Sequence, residues 1–213
     1  MKKVIVFDLD GTLVNTIYDI GASMNKALAE HGFKEHDLDE YYNFIGEGVI
    51  VLTKKAIAVD TTDEIMQSVL NRYNQIYHEN SMVLSKPYPN MIEVLDQLLS
   101  KGYKLAVISN KPDVDTQSIV KHYFGDRFFY IAGWKKEVER KPSPMPMEIF
   151  LKENNLTVDD IAYVGDSRYD AKFSINVGCD YYLFEYGYDK KEVISTFTPN
   201  AFLKEAKDLL KYF

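Results

Sequence analysis

Short apolar runs alternate with helix-like patterns along most of the chain, and this alternation predicts an α/β fold. Four consecutive apolar residues, Val4 to Phe7, are typical of a strand buried on both faces of a parallel sheet. Similar runs begin near Lys104, Phe128, Ile161 and Tyr181. Because helix-like segments separate these runs, we expect a Rossmann-like core built on a parallel sheet.

Residues 15–86 depart from this alternation, because helical spacing of apolar residues dominates the whole stretch. The prolines of Lys86-Pro87-Tyr88-Pro89 follow and are typical of a boundary between two parts of a chain. We therefore predict a small all-helical domain inserted after the first strand. The core would comprise residues 1–14 and 87–213, and the insert residues 15–86.

Two local patterns predict finer details of the core. Asn90 and Glu93 have the spacing of a capping box at a helix start. Apolar residues between Phe202 and Leu210 predict a C-terminal helix.

Composition and charge narrow the class of protein. Of the 213 residues, 46% are hydrophobic and 27% are charged, which is ordinary for a soluble globular protein. The formal charge of −7 disfavours nonspecific binding to nucleic acid. The single cysteine, Cys179, excludes an intramolecular disulfide, and its surroundings favour a packed thiol. No run is long enough for a membrane span or secretion signal, so we expect a cytoplasmic protein.

The first strand ends at two carboxylates one residue apart, Asp8 and Asp10, followed by Gly11. Ligands of open α/β sheets bind beyond the carboxyl ends of the strands, which places chemistry at this point. Two adjacent carboxylates repel each other, and a Mg²⁺ ion is the simplest relief. The alternative interpretation is that both are turn residues after a strand, a common position for aspartate.

Other candidate strand ends also carry polar groups. These are Ser109 and Asn110, Lys141 in a loop, and Asp166 with Asp170. Parallel strands would bring all of them to one edge of the sheet. This set of groups suits phosphoryl transfer. It offers a carboxylate nucleophile, a second acid, a lysine and a Mg²⁺ site.

These stretches resemble the four motifs of the haloacid dehalogenase superfamily, in the same order. They are Asp8-Leu9-Asp10-Gly11-Thr12, Ile108-Ser109-Asn110-Lys111, Arg140-Lys141-Pro142 and Val164-Gly165-Asp166-Ser167-Arg168-Tyr169-Asp170. The insert lies where one subgroup carries a helical cap. Phe44-Ile45-Gly46-Glu47-Gly48 and Pro87-Tyr88-Pro89 resemble the phosphoglycolate phosphatase-like branch. Asn15, where relatives commonly have Asp, departs from that branch, and so does the segment Ser174 to Gly178.

The resemblance implies a role for each matching residue. Asp8 would be the nucleophile and Asp10 the general acid/base. Phosphate would be bound by Ser109, Asn110 and Lys141. Mg²⁺ would be held by Asp8, Asp166 and the main-chain carbonyl of Asp10. Supporting residues would be Asp170, Gly11, Thr12 and Lys111, and candidates for substrate choice in the cap would be Gly46, Glu47 and Gly48.

The resulting hypothesis is a Mg²⁺-dependent phosphatase that hydrolyses a small phosphate monoester, such as phosphoglycolate, through an aspartyl-phosphate. One alternative is a phosphomutase or inorganic pyrophosphatase on the same scaffold. Another is a noncatalytic signalling module whose aspartate only accepts phosphate. The expected partner is a small phosphorylated metabolite, with neither nucleic acid nor membrane involved. The sequence leaves monomer and homodimer open.

Overall fold

The computed structural model describes residues 2–213, and the chain divides into two compact units. The first unit comprises the residues up to Asn15 together with Pro87–Phe213. The second unit is the continuous segment Thr16–Lys86.

A six-stranded sheet forms the centre of the first unit, in the order β5-β4-β1-β6-β7-β8. All neighbouring pairs in this sheet are parallel. The strands of the chain are β1 (Val4–Phe7), β2 (Val14–Asn15), β3 (Lys86–Pro87), β4 (Lys104–Pro112), β5 (Tyr130–Trp134), β6 (Ile161–Gly165), β7 (Asp180–Phe184) and β8 (Ala201–Leu203). The prediction of an α/β fold on a parallel sheet is confirmed.

Helices connect the strands of the first unit and make up most of the second. Those of the second unit are α1 (Ile17–Glu30), α2 (Leu38–Tyr41), α3 (Val49–Ile57) and α4 (Asp63–Asn80). Those of the first unit are α5 (Met91–Ser100), α6 (Asp113–Phe124), α7 (Met145–Glu153), α8 (Arg168–Val177) and α9 (Lys191–Ile194). Short 3₁₀ helices cover Gly125–Arg127, Val158–Asp160 and Ala206–Lys211. Within residues 2–213, no helix combines the length and apolarity needed to cross a membrane.

Strand β1 lies between β4 and β6, so it is hydrogen-bonded on both edges. Val4 and Val6 share one buried cluster with Met147 and Phe150 of α7. All four residues of β1 are buried, and the strand ends directly at Asp8. The sheet thus carries Asp8 at the carboxyl end of a central strand.

The second unit has its own buried side chains, among them Met24 of α1 and Val69 of α4. The carboxylate of Asp19 in α1 accepts hydrogen bonds from the backbone N–H groups of Leu84 and Ser85 and from the Ser85 hydroxyl. This contact links the first helix of the unit to its last residues.

Two details of the sequence interpretation are wrong. Phe202 lies in β8, where Ala201 pairs with Tyr182, and only a 3₁₀ helix follows it. If residues 202–210 formed a helix, the edge of β7 that pairs with β8 would have no strand beside it. Asn90 precedes α5 but makes no side-chain cap, because its backbone has a positive φ of 62°.

Candidate active site

The turn after β1 places two carboxylates in different surroundings. Leu9 accepts backbone hydrogen bonds from Thr12, Leu13 and Val14, which folds the chain back immediately after the strand. The side chain of Asp8 is 12% exposed, whereas that of Asp10 is 21% exposed. The two residues therefore meet different partners although they are one residue apart.

Lys141 lies between Asp8 and Asp170. Its ammonium group is 2.9 Å from Oδ1 of Asp8 and 2.7 Å from Oδ1 of Asp170. Lys141 also donates to the hydroxyl of Tyr163 at 2.7 Å. The ammonium group is thus held by groups from the end of β1 and, far along the chain, from strand β6 and the start of α8 that follows it.

Burial and charge set the pKa values of these groups. Burial raises the pKa of Asp8 to about 6, although Lys141 acts against it. Burial also opposes ionisation of Asp170, but Lys141 and Ser167 outweigh it and hold its pKa below the ordinary value. Burial alone would lower the pKa of Lys141, whereas the two carboxylates raise it. We conclude that Lys141 is charged and that its charge favours ionised carboxylates on both sides.

Asp166 follows β6 and is almost fully buried at 1% exposure. The hydroxyl of Thr12 donates to its Oδ1 at 2.6 Å, and the backbone N–H of Tyr188 donates to its Oδ2 at 2.8 Å. Burial raises the pKa of Asp166 well above its ordinary value, and the nearby Asp170 and Asp8 add to this. The geometry fixes the direction of this carboxylate, while the electrostatics disfavour its charge unless a cation is near.

Two glycines make the close packing around Asp166 feasible. A Cβ atom on Gly11 would lie 2.4 Å from Oδ2 of Asp166, and Gly11 also has a positive φ of 84°. A Cβ atom on Gly187 would lie 2.1 Å from the Cβ of Asp166. Any side chain at either position would displace the carboxylate.

Asp10 pairs with Lys111, at the end of β4. The ammonium group of Lys111 is 3.0 Å from Oδ1 and 3.1 Å from Oδ2 of Asp10. The side chain of Lys111 is only 4% exposed. Its contact with both oxygens fixes the orientation of the Asp10 carboxylate.

The other two predicted phosphate-binding residues lie on the same strand, β4. Ser109 is 6% exposed, and its hydroxyl accepts from the backbone N–H of Lys111 at 3.3 Å. The amide of Asn110 accepts from the N–H of Lys141 at 2.8 Å and donates to the carbonyl of Lys141 at 3.0 Å. Asn110 therefore holds the backbone of the residue that supplies the central ammonium group.

The three predicted cap residues lie in the second unit, in the loop before α3. Gly46 and Gly48 have positive φ values of 104° and 88°, which side chains rarely adopt. Glu47 forms an ion pair with Lys55 of α3 at 2.9 Å. The loop is thus shaped by its glycines and joined to α3 by a charge pair.

The sequence alone did not show how three features contribute to this cluster. The single proton of the Tyr163 hydroxyl has two acceptors within reach, the carboxylate of Asp170 at 3.1 Å and the carbonyl of Ile108 at 3.2 Å. Ser167 and Asp170 form a capping box at the start of α8. The third contributor is the Gly187-Tyr188 segment described above. A tyrosine inside the apolar run Ile161–Gly165 was a signal for the first, since a buried phenol needs a hydrogen-bond partner.

The donor set fits a divalent cation. Asp8, Asp166 and Asp170 each offer a carboxylate oxygen, and the three oxygen atoms lie within 4.8 Å of one another. All three are buried, and the pKa values of Asp8 and Asp166 are raised. Hard cations such as Mg²⁺ bind oxygen ligands, and a cation would relieve the repulsion within this group. Asp170 is the most fully engaged of the three, because it already bonds Lys141, Tyr163 and Ser167.

Comparison with known proteins identifies the family. The sequence profile of the haloacid dehalogenase-like hydrolases matches residues 5–184. The phosphoglycolate phosphatase of Aliivibrio fischeri is 31% identical over 98% of this chain and 95% of its own length. The phosphoglycolate phosphatase of Cereibacter sphaeroides is 37% identical over 86% of this chain and 85% of its own. The crystal structure of a predicted phosphoglycolate phosphatase from Haemophilus somnus has a TM-score of 0.93 at 31% identity, covering 99% of this chain and 97% of that chain.

Proposed function

The chain belongs to the haloacid dehalogenase-like hydrolases and is a phosphoric monoester hydrolase, and we propose that it is a Mg²⁺-dependent phosphatase for small substrates such as phosphoglycolate. The observation that carries the proposal is the ammonium group of Lys141, buried between Asp8 and Asp170. A positive charge beside the carboxylate at the end of a central strand is suited to receive an anionic phosphoryl group.

In the first step, a carboxylate oxygen of Asp8 attacks phosphorus and the bond from phosphorus to the ester oxygen breaks. Asp10 donates its proton to the leaving alkoxide, so a neutral alcohol departs. Lys141 and the Ser109 hydroxyl stabilise the charge on the transferring oxygens. The product of this step is an aspartyl-phosphate on Asp8.

In the second step, Asp10 accepts a proton from a water molecule, and the water oxygen attacks phosphorus. The bond from phosphorus to the Asp8 oxygen breaks, which releases inorganic phosphate and restores the Asp8 carboxylate. Lys111 keeps the Asp10 carboxylate in one orientation for both proton transfers.

Mg²⁺ would be held by Asp8, Asp166 and the main-chain carbonyl of Asp10, with Asp170 supporting the site through Lys141 and Ser167. When bound, it would supply positive charge that neutralises the phosphate oxygens and the buried carboxylates. The contacts of Thr12 and Tyr188 keep the Asp166 carboxylate in one position before any cation arrives.

We assign to the second unit, Thr16–Lys86, the role of a cap that sets the size of the substrate. The unit has its own buried helical faces and joins the first unit through two chain connections. Such a body can move as a unit and exclude water from the reacting group. The loop of Gly46, Glu47 and Gly48 is the candidate for contact with the substrate.

A turnover panel tests the proposal. The panel contains phosphoglycolate, ethyl phosphate, sugar phosphates, a nucleotide and pyrophosphate, each with Mg²⁺ and with chelator. We expect hydrolysis of small monoesters that stops on chelation and is absent in Asp8→Asn. Preference for pyrophosphate, or interconversion of sugar phosphates without release of phosphate, would replace this proposal with the pyrophosphatase or mutase alternative.

A further inference from the structure

One arginine differs from the other three in what its guanidinium group contacts. In three arginines, Nε and Nη2 donate hydrogen bonds to the two oxygens of one carboxylate. The pairs are Arg72–Glu30, Arg127–Asp96 and Arg168–Asp189. In Arg140 the same two nitrogens are shielded from solvent but have no hydrogen-bond acceptor anywhere in residues 2–213. The Nε and Nη2 side of the Arg140 guanidinium group is therefore the one such side, among the four arginines that the structure describes, that binds no carboxylate.

Trp134 holds this guanidinium group in place. The guanidinium carbon of Arg140 lies 3.6 Å from the centre of the Trp134 ring. A cation over the face of tryptophan is attracted by the ring, but the ring offers no acceptor to the N–H groups. The stack therefore orients the donors of Arg140 without satisfying them.

The electrostatics agree with this geometry. The hydrogen bonds that Arg72 and Arg127 donate to Glu30 and Asp96 raise the pKa values of these two arginines, whereas burial lowers the pKa of Arg140. A buried charged donor without a partner is costly and rare in folded proteins, and it calls for an explanation. An anionic ligand would supply the missing acceptor.

The position of Arg140 connects it to the candidate active site. Trp134 is the last residue of β5, and Arg140 directly precedes Lys141, so both lie at the sheet edge that carries Asp8. Residues 135–139 join them outside any helix or strand and are mostly exposed. Exposed loops are the parts of a fold that rearrange most readily, and we expect a shift of this loop when a ligand reaches the covered edge of Arg140.

We propose that Arg140, stacked on Trp134, binds an oxyanion, either a carboxylate or a phosphate, through Nε and Nη2. These nitrogens form the fork that matches two oxygens of such a group. The oxyanion is either a second anionic group of the substrate or a free anion. The possibility that the oxyanion belongs to the substrate rests on the proposed phosphatase function. Lys141 would then bind the phosphoryl group, and Arg140 would bind the second anionic group of the same molecule.

Trp134 is the only tryptophan of the chain, so its emission reports directly on this site. The probe is inorganic phosphate, titrated at constant ionic strength without added metal, and the readout is tryptophan emission. We expect a saturable change in the wild-type protein and a Kd raised about tenfold or more in Arg140→Gln, because the charged fork is lost. Arg140→Lys, which keeps the charge without the fork, should give an intermediate Kd. Arg127→Gln removes a surface ion pair and should leave the Kd unchanged.

Kinetics then separate the two sources. If the oxyanion is a group of the substrate, Arg140→Gln raises KM for phosphoglycolate more than KM for ethyl phosphate, which lacks a carboxylate. If it is a free anion, the ratio of the two KM values stays the same while the fluorescence effect persists. Both results support the oxyanion site, and each assigns its source.

The proposal is overturned if wild-type emission does not respond to phosphate, or if the Kd is the same in Arg140→Gln and the wild type. Arg140→Lys provides the same test should the glutamine variant fail to fold, as judged by circular dichroism. The titration needs no turnover, so failure of this proposal, an unchanged Kd in Arg140→Gln, is distinct from failure of the phosphatase proposal, which is absence of hydrolysis.

Discussion

The ammonium group of Lys111 contacts both carboxylate oxygens of Asp10, at 3.0 and 3.1 Å. This buried lysine comes from the end of β4, 101 positions away along the chain. A two-oxygen contact fixes the plane of the carboxylate and holds it away from other orientations. Lys111 is thus a positioning residue for the proposed general acid/base.

Replacement of Lys111 should therefore impair proton transfer. We expect Lys111→Met to lower kcat by up to about 10²-fold, the scale reached when a reacting group is misplaced. KM should change less than kcat. Lys111→Arg retains a cation and should lose less. Steady-state kinetics with an alkyl phosphate provide the measurement, and an unchanged kcat in Lys111→Met would refute the positioning role.

Asp10→Asn should lower turnover of an alkyl phosphate by about 10²-fold or more, because it removes the proton donor. The loss should be smaller for nitrophenyl phosphate, whose leaving group needs no proton in the first step. Adding Lys111→Met to this variant should have little further effect, since the two residues act together. Equal losses for both substrates would argue against leaving-group protonation by Asp10.

Gly187→Ala should weaken the metal site while leaving the fold intact. The added Cβ would lie 2.3 Å from Oδ2 of Asp166 and must displace that carboxylate. We expect the Mg²⁺ Kd, measured by calorimetry, to rise about tenfold or more, as for loss of groups that orient metal ligands.

Gly102→Ala is the control for this variant. Gly102 has a φ of +90° and nothing within 4 Å of an added Cβ. Its replacement should lower the free energy of unfolding by about 1–2 kcal/mol through backbone strain and leave the Mg²⁺ Kd unchanged. The same Kd in Gly187→Ala and the wild type would show that Asp166 does not hold the ion.

Variants of Glu47 and Lys55 distinguish a role of Glu47 in substrate choice from a role in the local structure of the cap loop. Both Glu47→Gln and Lys55→Met break the ion pair, but only the first removes the carboxylate. Stability should fall by less than about 1 kcal/mol in either case, because the pair is partly exposed. If Glu47 faces the substrate, only Glu47→Gln changes the ratio of kcat/KM between small and bulky monoesters. Equal effects of both variants would limit Glu47 to a structural role.

The sequence predicted those parts of the fold that depend on local pattern. The four apolar residues of β1 predict the strand and its end at Asp8 correctly, because a strand buried on both faces has a distinctive composition. The helical spacing of Phe202 to later apolar residues predicts a helix, which is wrong. Its strand exists through pairing with β7, which no local pattern reveals.

The neighbourhood of Asp166 shows the same limit within the site. Thr12, 154 residues away along the chain, donates to one oxygen of Asp166. Tyr188, 22 residues away, donates to the other. Only the folded chain shows that Gly187 packs against this carboxylate. Motif spacing identified the charged groups, but the residues that orient them are set by tertiary packing.

In the proposed mechanism, Asp8 carries the phosphoryl group during turnover. Borohydride reduces an acyl phosphate, so quenching during steady-state turnover of phosphoglycolate should convert this aspartate into homoserine. Peptide mass spectrometry would locate the change. We expect homoserine at Asp8, only when both substrate and Mg²⁺ are present, and none in Asp8→Asn. Active enzyme with homoserine at another carboxylate, or with none at any position, would contradict it.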